Sequence, residues 1–160
     1  MEKLENTKPE KLLIAISALG NHGKTLSATR LIELLISQRE GWLYDSRSII
    51  LKKEQLAILQ HNGTAEIAVI TIGDGVDSRF ANWYNIVASI PTIKIIVGCC
   101  RTKHGTFAYL KNFAMTHQYT MVVTHPYFQE MPVLTKSSPI ANYWNAIFAN
   151  HLLDMIHLHL

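Results

Sequence analysis

Cysteine is scarce in this chain: Cys99 and Cys100 are its two cysteines, and they are adjacent. A disulfide between neighbours would be strained and would close almost no loop. A second cysteine pair that could complete a structural zinc site is also lacking. Both thiols are therefore predicted to be reduced and to act as small hydrophobic residues within the apolar run 93–100.

Charged residues are few as well, at 17% of the 160 residues, with 15 Lys and Arg against 12 Asp and Glu. The net charge of +3 is modest, and no dense stripe of basic side chains occurs. Direct nucleic-acid binding is therefore not indicated.

Long apolar runs are missing too. None approaches the roughly 20 residues that cross a bilayer, and the polar, charged start is unlike a secretory signal. We therefore expect a cytoplasmic protein without a membrane span. With 48% hydrophobic residues, the chain has the core of one globular domain, predicted over residues 11–160 after a polar lead-in over residues 1–10.

Apolar runs alternate with helical patterns along this domain. Strands are predicted over residues 11–18, 48–51, 66–72, 92–100 and 120–124. Helices are predicted over residues 25–38, 79–90, 106–118 and 140–160, with a short helix or turn over 54–61. This alternation predicts an α/β three-layer sandwich with a mainly parallel sheet, covered on both faces. Ligands of such folds bind beyond the carboxyl ends of the strands, which here lead into the loops 18–25, 73–79, 101–106 and 124–130.

The first of these loops has the pattern of a phosphate-binding loop between a strand and a helix: Ala18-Leu19-Gly20-Asn21-His22-Gly23-Lys24-Thr25. Glycines let successive N–H groups converge on phosphate oxygens, and the helix start adds unpaired donors. Lys24 would reach the β- and γ-phosphates, and the Thr25 hydroxyl would hold Mg²⁺. The predicted nucleotide-binding segment is Gly20, Asn21, His22, Gly23, Lys24, Thr25 and Leu26. The alternative is an ordinary strand-to-helix turn.

Two further strand ends carry candidate catalytic residues. Asp74 follows an apolar strand, as does a carboxylate that orients a nucleotide-bound metal, although Gly73-Asp74-Gly75 could also be a simple turn. Asp77 is the second choice for this role. Arg101 follows the next strand, where a cation would sense the γ-phosphate, stabilise the transferring charge or bind an anionic substrate. The predicted catalytic set is Lys24, Asp74 and Arg101, with Thr25 and Asp74 at the metal.

Several other polar residues near these loops have simpler explanations. Thr102 or Thr106 would cap the following helix. The loop from His125 to Phe128 would supply a stacking aromatic ring or pack internally. His151, His157 and His159 are predicted to lie on the solvated side of the last helix rather than in a metal site.

The segment from Ala18 to Thr25, together with the strand-end Asp74, resembles a small P-loop NTPase. Within that superfamily the chain is most similar to ParA/MinD-like plasmid partition and stability ATPases. The resemblance implies MgATP as ligand, slow hydrolysis and nucleotide-dependent dimerisation, with Lys24 on the phosphates, Thr25 on the metal and Asp74 in its water shell. This group usually carries a second lysine where the chain has Leu19. ATP rather than GTP is implied by the family, and the Asn-Lys-x-Asp signature of GTPases is not present.

The sequence is compatible with three functions. The first is an ATPase that acts as a nucleotide-dependent switch for a protein partner. The second is a small-molecule P-loop kinase, which would need an arginine-rich lid, whereas residues 124–140 contain Lys136 and no arginine. The third is a nucleotide-binding or interaction module that does not hydrolyse.

Overall fold

The computed structural model describes residues 10–18, 24–102, 105–126 and 139–160. Within these ranges the chain forms seven strands and four helices. The strands are β1 (Leu12–Ser17), β2 (Leu43–Tyr44), β3 (Ile49–Ile50), β4 (Gln55–His61), β5 (Thr64–Ile70), β6 (Ile95–Cys100) and β7 (Thr120–Thr124). The helices are α1 (Lys24–Ile36), α2 (Ser78–Ala88), α3 (Thr106–Thr116) and α4 (Pro139–His159).

The strands form one mixed sheet in the order β2-β4-β5-β6-β1-β7, with β3 also paired to β4. Strands β5, β6, β1 and β7 are mutually parallel. Strand β4 runs antiparallel to β5, and β2 and β3 run antiparallel to β4. The predicted α/β class with a mostly parallel sheet is thus confirmed, with one antiparallel strand that the sequence analysis did not foresee.

The prediction of a short helix or turn over residues 54–61 was wrong, because these residues form β4 and its approach. The run from Leu56 to Leu59 is apolar without alternation, and such a run cannot be told from a buried helix by its period. The strand is paired on both sides and buried on both faces. A two-residue turn at Asn62 and Gly63 joins it to β5, with φ values of 52° and 81°. Asn-Gly favours this hairpin turn because both positions need positive φ.

Helices cover both faces of the sheet. The side chains of Leu12, Ile14 and Ile16 pack with α1 and α4 on one face. Leu13 and Ala15 pack with α2 and α3 on the other. Because successive side chains of a strand point to opposite faces, β1 contributes side chains to two separate core layers. The two cysteines of β6 are free, buried and divided between the layers.

Each predicted helix begins and ends within two residues of the observed bounds. The predicted strands over 11–18, 48–51, 66–72 and 92–100 all exist with shifted or shorter bounds, and 120–124 matches β7. The two-residue strand β2 was not predicted. Among the described helices, none is both long and apolar enough to cross a membrane.

Candidate functional site

The carboxyl ends of β5, β6, β1 and β7 lie at one edge of the sheet, because these strands are parallel neighbours. The chain leaving β5 passes very close to the end of β6 at Gly73. A Cβ atom at Gly73 would lie 2.2 Å from the carbonyl oxygen of Cys99. Only glycine permits this approach, which carries Asp74 toward β6 and β1.

Three charged groups from three elements meet at this edge. The Lys24 side chain, at the start of α1, is 5% exposed, and its Nζ lies 3.5 Å from Oδ1 of Asp74. The same Nζ donates to the Ala18 carbonyl at 3.3 Å. Arg101 Nε donates to Oδ1 of Asp74 at 3.1 Å. The predicted catalytic set is therefore brought together, with Asp74 between two cations.

The electrostatics of this cluster favour a charged carboxylate. Partial burial raises the pKa of Asp74, but the hydrogen bond from Arg101 and the positive charges of Lys24 and Arg101 outweigh it. The pKa of Asp74 therefore lies below its ordinary value. Behind the cluster, complete burial raises the pKa of the Cys99 thiol to about 12, although the charge of Lys24 opposes this. That thiol is consequently protonated and unsuited to nucleophilic chemistry.

The hydroxyl of Thr25 is tied to the end of β5. Its Oγ1 donates to the Thr71 carbonyl at 3.2 Å, while Oγ1 of Thr71 accepts from the Gln55 N–H at 2.9 Å. Since the Thr25 proton is used in this bond, the oxygen lone pairs are left for a cation. Sequence reasoning missed Thr71, although a threonine between Ile70 and Ile72 was a visible interruption of the apolar run.

A small pocket of about 60 Å³ opens beside Thr25 and Asp74, which is room for a few water molecules. Its other side holds an ion pair between Glu54 and Arg79, 2.6 Å apart. Asp77 also lines the pocket, but its carboxylate accepts from the Phe80 N–H at 2.8 Å and caps α2. The second choice for the metal carboxylate is thus used as a helix cap. Thr25 and Asp74 both line this pocket and carry oxygen atoms, which are the ligand type that a hard cation such as Mg²⁺ takes.

The main chain of Arg101 is fixed by Thr106. Its N–H donates to Oγ1 of Thr106 at 2.8 Å. The N-cap of α3 is Gly105, at φ 83°, and it makes no side-chain cap bond. The expectation that Thr106 caps α3 was therefore wrong, because its hydroxyl is turned toward the end of β6 instead.

Part of the predicted nucleotide-binding segment, comprising Gly20, Asn21, His22 and Gly23, lies outside the described residues, as do Leu19, Tyr127 and Phe128. Leu26 is described and lies on the outer side of α1, where it lines a groove with Asn142 of α4. The His125 ring forms a hydrogen bond with the Ser17 carbonyl at the end of β1, which favours a packing role.

The histidines of α4 are not gathered into a metal site. His157 pairs with Glu40 at 3.0 Å. Within the described part of the chain, no three residues among His, Cys, Asp and Glu are grouped so that they would hold a metal ion.

No protein family and no curated protein matches this sequence. A solved structure, that of APE1195, matches with a TM-score of 0.37 and 15% identity. The match covers 73% of this chain and 60% of that chain, so this chain aligns with less than two thirds of APE1195. Function must therefore be argued from the site itself.

Proposed function

We propose that this protein is a MgATP-binding P-loop NTPase whose nucleotide state controls its binding to a protein partner. The observation that carries the proposal is the position of Lys24. Its buried ammonium group, at the start of α1, contacts the carboxylate of Asp74, which follows β5. The guanidinium of Arg101, which follows β6, contacts the same carboxylate. Within the described residues, the polar contacts of Lys24 are with an exposed carboxylate and a carbonyl, and a buried lysine in such a place is suited to an anionic ligand.

The contacts of the cluster suggest an exchange of partners. Phosphate oxygens would replace Asp74 beside Lys24, since both are anions and the Asp74 side chain is 76% exposed. Asp74 would then turn toward the cation beside Thr25. Arg101 would keep its fixed main chain and aim its guanidinium at the terminal phosphate. When bound, MgATP would supply the transferable phosphoryl group and the metal charge that neutralises it.

The first test is calorimetric titration of MgATP and MgGTP into the wild type and Lys24→Met. Methionine keeps the buried stem of the side chain and removes its charge. We expect saturable binding to the wild type and at least a hundredfold loss in the variant, because a charged contact to phosphate contributes about 3 kcal/mol. Lys94→Met is the matched control, since Lys94 pairs with Glu66 at the opposite end of β6. Equal binding by all three proteins would refute a phosphate site at Lys24.

The second test is the Asp74→Ala variant in a phosphate-release assay. We expect binding of MgATP to persist and hydrolysis to fall at least tenfold, because the metal would lose a carboxylate that orients its water shell. Unchanged turnover would remove Asp74 from the site. Turnover that depends on an added small-molecule acceptor would favour a kinase, and tight binding without turnover would favour a module that does not hydrolyse.

A further inference from the structure

The two edges of the sheet are built differently. On one side, β2 and β3 are two-residue strands, and the Asp45–Arg47 ion pair lies between them with a 2.7 Å contact. On the other side, β7 is an uninterrupted strand of five residues, Thr-Met-Val-Val-Thr, without charge or proline. Short edge strands, charges and proline are the usual means of blocking edge pairing. Among the described strands, those of the first edge have the first two of these features, and the five residues of β7 include no charge or proline.

The register of β7 shows which of its main-chain groups point outward. The Thr120 N–H donates to the Lys11 carbonyl at 2.9 Å, and Thr120 lies opposite Leu12 in a parallel pairing. In a parallel ladder the residues that bond to one neighbour alternate along the strand. Thr120, Val122 and Thr124 therefore bond toward β1, while the N–H and C=O groups of Met121 and Val123 point away from the sheet.

The side chains around this edge are apolar and exposed. Val122 is 36% exposed, Val123 is 41% exposed, and Met115 on the adjacent helix α3 is 72% exposed. Phe107, Met115, Met121 and Val123 line a groove of about 380 Å³ between α3 and β7, with Lys111 at the same groove. Among the described residues, no further strand pairs with the outer side of β7. Apolar side chains beside outward main-chain groups are the requirements for adding another strand.

We propose that β7 pairs antiparallel with β7 of a second copy of this chain, about a two-fold axis through Val122. In this register Met121 and Val123 form hydrogen-bonded pairs with the partner's Val123 and the partner's Met121. Val122 faces the partner's Val122, and Thr120 faces the partner's Thr124. The outward main-chain groups are thus satisfied by their own counterparts.

A second copy is the occupant that this edge fits best because the strand is complementary to itself. Reversing Thr-Met-Val-Val-Thr about its centre matches threonine with threonine and apolar residues with apolar residues. No like charges face each other, and threonine pairs and β-branched pairs stabilise neighbouring strands. A charged partner strand would find no opposite charge on β7.

The test uses the two-fold axis itself. Sedimentation of the full chain without nucleotide should show a dimer for the wild type and monomers for Val122→Lys and for Val122→Glu, since like charges would meet at the axis. An equimolar mixture of the two variants should restore a dimer, because lysine then faces glutamate. Leu43→Lys, at an exposed apolar residue of the opposite edge, should remain dimeric.

A second pair of variants tests the main-chain bonds. Val123→Pro removes an outward N–H, which an edge strand tolerates, so this variant should stay folded by circular dichroism and become monomeric. Lys24→Met should stay dimeric, so that failure of nucleotide binding and failure of this interface are distinguished. A monomeric wild type across a concentration series, dimeric Val122→Lys, or a mixture that stays monomeric would overturn the proposal.

Discussion

Asp74 connects the candidate site to the stability of the protein. It is largely exposed, yet it is the shared partner of Lys24 and Arg101. Because Lys24 begins α1 and Arg101 follows β6, the carboxylate links α1 to the end of β6. Its ionisation therefore affects the folded state as well as any ligand.

This leads to a prediction about pH. The pKa of Asp74 is lower in the folded protein than its ordinary value of 3.8, so the unfolded chain takes up the proton first as the pH falls. The stabilisation by Asp74 is complete above pH 3.8 and is lost as the pH falls through the lower, folded pKa. In urea unfolding, the wild type should exceed Asp74→Asn in stability near neutral pH and lose that advantage in strong acid.

Arg101→Gln provides the control for this experiment. When Arg101 is replaced by glutamine, the difference in free energy of unfolding between the protein with Asp74 and the Asp74→Asn variant should become smaller at neutral pH. The reason is that a cation hydrogen-bonded to Asp74 has been removed. If the free energies of unfolding of the wild type and Asp74→Asn differed by the same amount at every pH, the substitution would change stability through packing and not through charge.

Secondary-structure elements differ in how far the sequence predicts them. The four helices could be predicted from the apolar residues that recur along them at helical spacing. β4 was missed because its run from Leu56 to Leu59 is apolar at every position, and burial on both faces removes the alternation that identifies a strand. The Asn62-Gly63 pair was the overlooked signal for its hairpin.

This turn gives a prediction for the β4–β5 hairpin. Gly63 has φ 81° and open space around its Cα, so an added Cβ meets no other atoms. Gly63→Ala should therefore lower the free energy of unfolding by about 1–2 kcal/mol through left-handed backbone strain alone. Asn62→Gly, at the other positive-φ position of the turn, should change it by less. Denaturant unfolding compares the two, and equal losses would contradict this account.

In the candidate site, the grouping of the charged residues was predictable from the sequence, but the contacts of the hydroxyl groups were not. Lys24, Asp74 and Arg101 could be predicted to lie together because parallel strands end at one edge of a sheet. The contacts of Thr25 with Thr71 and of Arg101 with Thr106 could not, since a hydroxyl's partner depends on where the folded main chain places a carbonyl or an N–H.

At the scale of the whole molecule, the buried thiols report on opening of the sheet. Cys99 lies on β6 between the two central neighbours β5 and β1, and its pKa is raised to about 12 by burial. In Cys100→Ala, which leaves this single thiol, we expect labelling by Ellman's reagent only as fast as the protein unfolds globally. The labelling rate should rise with denaturant in parallel with circular dichroism. Rapid labelling of the native variant would contradict the buried position of β6.

The position of β1 has a consequence for biosynthesis. β1 is the first of the described strands, but its two neighbours are β6 and β7, which leave the ribosome long afterwards. The β4–β5 hairpin can form early from local contacts, whereas β1 must wait for partners that are distant in sequence. A nascent chain that stops short of residue 95 would already contain β1 and the segment from Ala18 to Thr25, but neither neighbour of β1. The candidate site would thus be among the last parts of the protein to be completed during translation.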